Sequence, residues 1–307
     1  MTDNHKISAV ILTVDGGRAL LECLESLNSV MTPGFGAIVA RNGAYDAELE
    51  AAVRTASGHV GAVLFNGDNI GFASGCNAGI RKALEDGADW VLLLNDDTVA
   101  APDFLEKLLE EAGKRPEAGM LGPRIFYFAE KEKIWFSGAK FNKGNCSFSF
   151  PGSDQAERDY GHFAPEESDY ITGCALLVKR EVIEKIGPLD ERFFLYWEDS
   201  DWGLRARAAG CKCVVVPAAR IWHKVSASSG GTDSPLKAYH KTFSHLLFCD
   251  IHASAAKGRL LRGFARDIAW LLLKASGQKR FRKAWAYALA IFDHYTGAKA
   301  RAKPWLL

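Results

Sequence analysis

The stretch WVLLLNDDT at residues 90–98 places two adjacent carboxylates after five apolar residues and one asparagine. The apolar run has the length of a strand and no polar alternation, which is typical of a strand buried on both faces of a parallel sheet. Ligands bind beyond the carboxyl ends of such strands. Asp96 and Asp97 could therefore hold a hard divalent cation that also binds substrate phosphates. Turn chemistry leading into a helix over 102–112 would favour the same residues.

Strands and helices alternate on the amino-terminal side of this stretch. Strands are predicted at 7–14, 35–40 and 60–65. Helices with apolar residues at helical spacing are predicted over 18–29, 48–56 and 74–85. This order is typical of βαβ units, so the predicted fold class is α/β, with a Rossmann-like open, mostly parallel sheet flanked by helices.

The second half of the chain follows a different pattern. Loops or a hairpin are predicted over 140–167, and strands at 169–178 and 211–216. A helix over 198–209 is predicted to end at Gly210, because glycine commonly follows the last helical residue. Beyond Gly230 and Gly231 the chain is predicted to be helical to its end.

The composition is that of a soluble globular protein with a large core. The 307 residues are 48% hydrophobic and 24% charged, which excludes a disordered, collagen-like or disulfide-rich secreted chain. The seven cysteines are odd in number and contain no CxxC pair, so free thiols in a reducing compartment are expected. The short apolar run at 7–14 lacks a following cleavage site, and no run of about 18 apolar residues occurs. A cytoplasmic location is therefore predicted.

Charge is unevenly distributed along the chain. Residues 237–307 contain 14 Lys and Arg against 3 Asp and Glu, a net charge of +11, whereas the remainder carries 24 against 34, or −10. The basic tail could pack on the acidic body or bind an acidic partner. Within 258–276, six apolar residues share one helical face and three arginines lie opposite, so both membrane docking and packing on the catalytic domain stay open. Nucleic acid is not expected, because no recognition motif accompanies the charge.

Three further clusters contain residue types suited to chemistry. Glu198 and Asp199 stand between aromatic residues and could hold a sugar and act as a general base, although acids in a first helical turn are also favoured by the helix dipole. His223 follows a predicted strand, and its imidazole could complete a Mg²⁺ or Mn²⁺ site. The glycine-rich segment at 69–79 opens a helix, which permits close approach of a phosphate. It is neither GxGxxG nor a P-loop.

These clusters, in this order, resemble the inverting glycosyltransferases of family 2, which have the GT-A fold, and especially their bacterial rhamnosyltransferase-like branch. The resemblance spans about residues 6–230. Its segments are TVD at 13–15, ARNGAYD at 40–46, NIGFASGCNAG at 69–79, LNDDT at 94–98, TGCA at 172–175 and the EDSDWGLR pattern within 193–205.

The resemblance implies a role for each matching residue. Asp97 would coordinate Mg²⁺ or Mn²⁺ with His223 as a second ligand, and Asp199 would be the catalytic base with Glu198 beside it. Acceptor contacts are expected from Trp197, Trp202 and Gly173. Donor contacts are expected from Thr13, Asp15, Arg41, Asn42, Asp68, Asn69, Gly71, Asn77 and Asp96. Arg41 stands where the family usually has a base-contacting aspartate, which leaves the nucleotide open.

The resulting prediction is a metal-dependent inverting glycosyltransferase. It would move a sugar from a nucleoside-diphosphate donor, dTDP-rhamnose or a UDP-sugar, to a polysaccharide or lipid-linked glycan. The predicted location is the cytoplasm, where the protein could lie on the inner face of the membrane. Residues 1–235 would form the catalytic domain, with a donor half to about 100 and an acceptor half beyond it, and 236–307 a basic helical extension. A catalytically silent nucleotide- or glycan-binding protein and a sugar-nucleotide pyrophosphorylase are the alternatives. The residues at 15–18 fit poorly the basic triphosphate loop that a pyrophosphorylase needs.

Overall fold

The computed structural model describes residues 5–225, 234–273, 278–301 and 303. Across these residues the chain forms twelve strands and ten α-helices. The strands are β1 (Ile7–Thr13), β2 (Phe35–Arg41), β3 (Val60–Phe65), β4 (Trp90–Asn95), β5 (Thr98–Ala100), β6 (Ala118–Tyr127), β7 (Ile134–Phe136), β8 (Lys140–Asn142), β9 (Ser147–Ser149), β10 (Glu166–Ser168), β11 (Ala175–Lys179) and β12 (Lys212–His223). The helices are α1 (Arg18–Leu27), α2 (Ala47–Ala56), α3 (Phe72–Glu85), α4 (Phe104–Lys114), α5 (Glu157–Tyr160), α6 (Arg180–Ile186), α7 (Glu198–Ala208), α8 (Pro235–His252), α9 (Lys257–Leu273) and α10 (Gln278–Tyr295).

One large sheet organises the body of the molecule, in the order β10-β12-β6-β11-β4-β1-β2-β3. Strands β1 to β4 are mutually parallel, as are β6 and β12, while β11 runs antiparallel between β4 and β6. The first five residues of β4 are buried, and they share one core with the apolar faces of α1 and α3. The predicted α/β fold with a mostly parallel sheet is confirmed.

The register of the parallel strands brings their carboxyl ends to one edge of the sheet. Thr13 pairs with Arg41 at the ends of β1 and β2, and Leu12 pairs with Asn95 at the end of β4. The turns that follow β1, β2 and β4 therefore lie side by side. This is the edge at which open parallel sheets bind their ligands.

Strand β12 differs from its prediction in a way that matters for function. Its residues pair with β6 as far as Val216, the register then shifts, and pairing resumes at Arg220. This irregularity accommodates Pro217, which cannot donate to a regular central ladder. The strand thus continues to His223, which pairs with Thr98 beside the carboxylate turn.

The carboxy-terminal helices are joined to the body by buried contacts. Phe248 and Cys249 of α8 share a small core with Phe193 and Cys146, and the Ser244 hydroxyl donates to the carbonyl of Leu195 at 2.9 Å. Helix α10 packs on α8, where the Tyr239 hydroxyl donates to Asp293 at 2.6 Å. The helical prediction is confirmed for α8, α9 and α10, but it is wrong for the described residues after Tyr295, which are not helical. The domain boundary at 235 stays a prediction.

The apolar face predicted on α9 packs mostly inward. Leu260 packs against the small core of α8, Phe264 meets the ring of His245, and Leu271 is buried, while Leu272 remains exposed. Most of the apolar face of α9 therefore packs on the protein, which is one of the two predicted alternatives for this helix. Among the helices of the described residues, none is long and apolar enough to cross a membrane.

Candidate functional site

A cleft of about 1090 Å³ opens at the carboxyl edge of the parallel strands. The turns after β1 and β4 form its floor, and the β9 segment and the start of α7 form two sides. The amino-terminal half of α8 forms a further wall. The cleft therefore joins residues that are far apart in sequence, as a two-substrate site requires.

The carboxylate turn lies at the floor of this cleft. Asp97 is only 5% exposed, and its carboxylate oxygen lies 3.0 Å from Nε2 of His223. The backbone also joins the two strands, because the amide of Lys224 donates to the carbonyl of Asp97 at 2.9 Å. Trp135 packs edge-on against the His223 ring at 4.4 Å between centroids. The imidazole is thus held against Asp97 by both strand pairing and aromatic packing.

Burial and nearby charges shift the pKa values of Asp96 and His223. Burial raises the pKa of Asp96 to about 6, a hydrogen bond from Thr13 opposes the shift, and the charges of Asp97 and Asp15 add to it. Burial disfavours the charged form of His223, but the Cys174 sulfur and the Asp97 carboxylate outweigh it and raise its pKa to about 10. The imidazole of His223 and the carboxylate of Asp97 thus form a close pair at the floor of the cleft.

The pair of Asp97 and His223 fits a divalent cation. Adjacent ligands of an octahedral ion at about 2.1 Å lie about 3 Å apart, which matches the observed nitrogen–oxygen distance. Carboxylate and imidazole are suitable ligands for Mg²⁺ or Mn²⁺. No group of three or more His, Cys, Asp or Glu residues within the described ranges is arranged to hold a metal. Such an ion would therefore take its remaining ligands from water and substrate phosphates.

A hydrogen-bond network centred on Asn42 shapes the donor side of the cleft. The Asn42 side chain donates to the carbonyl of Gly71 at 2.8 Å and accepts from Asn66 at 2.9 Å. Gly71 has a φ of +91°, and an added Cβ would stand 2.6 Å from the carbonyl oxygen of Phe194. Only glycine suits this conformation and this close approach. The segment before α3 is thereby fixed against the cleft.

The acidic pair enters the cleft through an uncommon backbone turn. Tyr196 and Trp197, just before α7, both have left-handed φ values, of 70° and 73°. Such conformations cost about 1–2 kcal/mol each for residues other than glycine, and they cluster at functional sites. The turn places Asp199 in the first turn of α7. Its carboxylate accepts from the amides of Gly173 at 2.9 Å and Ser200 at 2.7 Å.

The two acids of α7 have different surroundings. Burial raises the pKa of Glu198 well above its usual value, the charge of Asp199 raises it further, and one carboxylate oxygen of Glu198 is buried without a hydrogen-bond partner among the described residues. Burial also raises the pKa of Asp199, but hydrogen bonds from Gly173, Ser200 and Thr172 lower it. Both carboxyls therefore have raised pKa values, and Asp199 is the one with several hydrogen bonds that favour its charged form.

Most of the predicted site residues line this one cleft. Those in its wall are Asp15, Asn42, Asn69, Gly71, Asp96, Asp97, Gly173, Trp197, Glu198, Asp199 and His223. Thr13 stands behind Asp96 and positions it, and its hydroxyl accepts from the amide of Gly16. Arg41 pairs with Asp46 at 2.7 Å at the end of β2, and Asp68 is an exposed residue of the next turn. Donor contacts by Arg41 and Asp68 stay predictions.

Two predicted contacts are wrong because the side chains lie in the core. Trp202 was expected to touch the acceptor, but its ring is fully buried and its indole N–H donates to the carbonyl of Gly187 at 2.9 Å. Asn77 was expected to touch the donor, but it is also fully buried and its amide braces Leu189 through bonds of 2.9 and 3.1 Å. Both residues support the site from behind.

Sequence analysis missed one wall of the cleft. Lys237, His240, Lys241 and His245 line it from α8, in the segment interpreted only as a basic tail. Their spacing of three, one and four residues places them on one helical face, which was a usable signal. Trp135 and Phe148 also line the cleft from short strands, and no sequence pattern marks them.

The fold of the described residues is that of the GT-A class. The chain superposes on GalNAc-T7 in its crystal structure with UDP, GalNAc and Mn²⁺, with a TM-score of 0.65 and 13% sequence identity. The match covers 96% of this chain and 58% of that chain. At this identity the likeness shows the fold alone.

Sequence comparison then identifies the family. Glycosyl transferase family 2 matches residues 8–187, so the chain belongs to this family. The N-acetylglucosaminyl-diphospho-decaprenol L-rhamnosyltransferase of Mycobacterium tuberculosis is 28% identical over 311 residues, which cover 92% of this chain and 97% of that protein. The dTDP-rhamnosyl transferase RfbF of Shigella flexneri is 25% identical over 163 residues, covering 53% of this chain and 52% of RfbF. The predicted resemblance to family 2 and to its rhamnosyltransferase-like members is confirmed, and with it the assignment of the chain as a glycosyltransferase.

Proposed function

We propose that this protein transfers a sugar from a nucleoside-diphosphate donor to a glycan or lipid-linked acceptor by a single inverting displacement, with Asp199 as the base. The observation that supports it most is the position of the Asp199 carboxylate. Two backbone amides fix it in the cleft that also contains Asp96 and Asp97. One cleft thus offers a base for the acceptor and a carboxylate turn for the donor.

The residues of the cleft divide the steps of the transfer. Asp199 takes the proton of the acceptor hydroxyl as its oxygen bonds to the anomeric carbon. The bond from that carbon to the diphosphate oxygen breaks with its electron pair on the oxygen. Asp97 and His223 would hold Mg²⁺ or Mn²⁺, which as a Lewis acid stabilises the charge on the departing diphosphate. Glu198 and the ring of Trp197 would hold the acceptor sugar beside the base.

We propose rhamnose, delivered from dTDP-rhamnose, as the donor sugar, with UDP-sugars as the competing class. Two relatives support this choice, because their names specify L-rhamnosyl and dTDP-rhamnosyl transfer. Divalent metal use is supported by the Mn²⁺ in the GalNAc-T7 structure and by the fit of Asp97 and His223. A lipid-linked acceptor is supported by the diphospho-decaprenol in the name of the mycobacterial relative.

The proposed cytoplasmic protein would approach a lipid-linked acceptor through the end of the α9–α10 pair. Four large apolar side chains there are 51–87% exposed, namely those of Trp270, Leu273, Phe281 and Trp285. The Arg280 guanidinium lies 5.9 Å from the centroid of Trp270. Exposed aromatic residues with basic neighbours are suited to the interface of an anionic bilayer.

A thermal-shift screen with UDP, dTDP and GDP, each with and without Mn²⁺ or Mg²⁺, tests the proposed donor site. A ligand that binds only the folded state raises the melting temperature. We expect the largest shift for dTDP with metal. No shift for any nucleotide, with or without metal, would contradict the proposed site.

Liposome sedimentation tests the proposed membrane contact. Vesicles with phosphatidylglycerol should retain the wild type, and the double variant Trp270→Ser, Trp285→Ser should lose most of this binding. Phe163→Ser, which removes an exposed aromatic residue elsewhere, is the matched control. Equal binding of the double variant and the control would contradict the membrane contact.

A further inference from the structure

The first half of α8 turns a basic face to the cleft. Lys237, His240 and Lys241 line it, and so does Leu236 in the first helical turn. Helix α8 has eighteen residues, and Ser234 caps its start by accepting from the amide of Lys237 at 3.2 Å. The positive end of the helix dipole therefore faces the same space as the basic side chains.

Lys237 is a buried cation without a counter-charge at contact distance. Its residue is only 8% exposed, and no carboxylate of the described residues lies within ion-pair distance of its ammonium group. Most other buried basic groups of the protein are paired, as Arg124 is with Glu157 at 2.9 Å. Burial and the nearby Lys241 lower the pKa of Lys237, and attraction to Asp97 opposes this. An unpaired buried charge is costly, so an anion is the expected missing partner.

His240 supplies a second, independent sign of a missing ligand. Its ring is 1% exposed and stacks on Phe194 at 4.9 Å between centroids. Its Nδ1 is buried and has no hydrogen-bond partner among the described residues. Burial lowers the pKa of His240 to about 4, so the ring is neutral and can donate one N–H.

We propose that Lys237, assisted by His240, Lys241 and the first turn of α8, forms a diphosphate-binding subsite of this cleft. The inference rests on the proposed function, because it assigns a residue set to one substrate group. Lys237 and Asp97 line the same cleft, which places the subsite near the carboxylate turn and points to the diphosphate of the donor. When the anomeric carbon–oxygen bond breaks, the ammonium group stabilises the negative charge left on the nucleoside diphosphate, with no proton transfer from Lys237. A lipid diphosphate acceptor is the second source of the same chemistry.

A consequence is that the basic carboxy-terminal helices belong to the active site. Truncation is unsuited as a test of the subsite, because α8 contributes Phe248 and Cys249 to a buried core. Single substitutions test the subsite more sharply, because Lys237→Met keeps the length and apolar stem of the side chain and removes only the charge.

The test is calorimetric titration of the full chain with Mn²⁺ present. The probes are dTDP against dTMP, with UDP and GDP as further diphosphates, and farnesyl diphosphate against farnesol. For Lys237→Met we expect at least tenfold weaker binding of the nucleoside diphosphate and less than threefold change for the monophosphate. Lys237→Arg should recover part of the affinity. Lys107→Met, at a partly exposed lysine of α4 that pairs with Asp103 outside the cleft, is the matched control and should bind as the wild type does.

The outcomes separate the subsite from the proposed function. Loss confined to farnesyl diphosphate would assign the subsite to the acceptor, and loss confined to the nucleoside diphosphate would assign it to the donor. Unchanged binding of both diphosphates by Lys237→Met would overturn the inference while leaving the proposed function intact. A wild type that binds no nucleotide would overturn both. Melting curves confirm folding, and we expect Lys237→Met to melt no lower than the wild type, because it removes a buried unpaired charge.

Discussion

Replacement of Asp199 by asparagine should remove the base while it preserves the cleft. The substitution keeps the shape of the side chain, and the carboxylate now accepts from the amides of Gly173 and Ser200. One of these amides would face the new NH₂ group, which costs about 1–3 kcal/mol. Removal of a buried charge with a raised pKa offsets part of this cost. We therefore expect a folded variant with a melting temperature within a few degrees of the wild type.

The catalytic effect should be much larger than the structural one. A positioned general base contributes about 10²- to 10⁴-fold to the rate. This corresponds to about 3–5 kcal/mol of activation free energy. We expect kcat of Asp199→Asn to fall by that factor, while the dissociation constant of the nucleotide changes less than threefold. The assay follows release of the nucleoside diphosphate from the donor, and calorimetry measures binding.

Glu198→Gln is the matched control for Asp199→Asn. Glu198 is the adjacent residue, its side chain is buried and its raised pKa favours the protonated form, so its amide analogue should keep kcat within about tenfold of the wild type. The pH profile adds a second criterion. Because the pKa of Asp199 is raised, wild-type activity should fall on acidification at a higher pH than for an ordinary aspartate. If Asp199→Asn kept more than a tenth of kcat while Glu198→Gln lost it, Glu198 would be the base and the assignment would be wrong.

Three further substitutions test other parts of the structure. Gly71→Ala should lose at least about 2 kcal/mol of folding free energy in denaturant titrations, because its φ of +91° and the carbonyl of Phe194 leave no room for a Cβ. Unchanged stability would be inconsistent with this packing. Asp97→Ala should abolish the metal dependence of nucleotide binding in calorimetry, and a persisting metal effect would place the cation elsewhere. The raised pKa of Glu198 stabilises the folded state below its unfolded value of 4.5, and this contribution is lost as pH rises through the folded pKa. Glu198→Gln should therefore melt higher than the wild type at pH 8 but not at pH 4, and a gain independent of pH would refute the assignment.

The amino-terminal half of the fold was predictable because its periodicity is strong. Strands β1 to β4 and helices α1 to α3 begin and end within about two residues of their predicted bounds. The polar residues after β1, β2 and β4 belong to the same signal, since parallel strands bring their carboxyl ends together. Asp15, Asn42 and Asp97 were found in this way.

The remaining elements were harder to predict because local sequence contradicts the tertiary structure. Strand β6 contains Gly122 and Pro123, which normally mark a turn, so it was not predicted. The strand predicted at 169–178 begins only at Ala175 and runs to Lys179, because the residues before it line the cleft. Strand β12 was predicted to stop before Pro217, yet it continues through an irregularity to His223.

The basic wall of the cleft depends on long-range packing that periodicity does not show. The face of α8 with Lys237 and Lys241 could have been recognised as cationic, but its contact with the cleft arises from the core shared by Phe248 and Phe193. In the same way, Trp202 and Asn77 stand within sequence motifs of the family yet serve packing. Position in a motif alone therefore does not separate residues that touch a ligand from residues that support the site.

Turnover of sugar nucleotides tests the central claim most directly. Wild type and Asp199→Asn are incubated with dTDP-rhamnose, UDP-sugars and GDP-sugars, with Mn²⁺ and a farnesyl-diphosphate-linked N-acetylglucosamine acceptor, and nucleoside diphosphate release is followed. We predict that the wild type transfers the sugar with inverted anomeric configuration. We also predict that Asp199→Asn transfers it at least a hundredfold more slowly while it still binds the nucleotide. Transfer with retained configuration, or equal rates for the two proteins, would contradict a single displacement with Asp199 as its base.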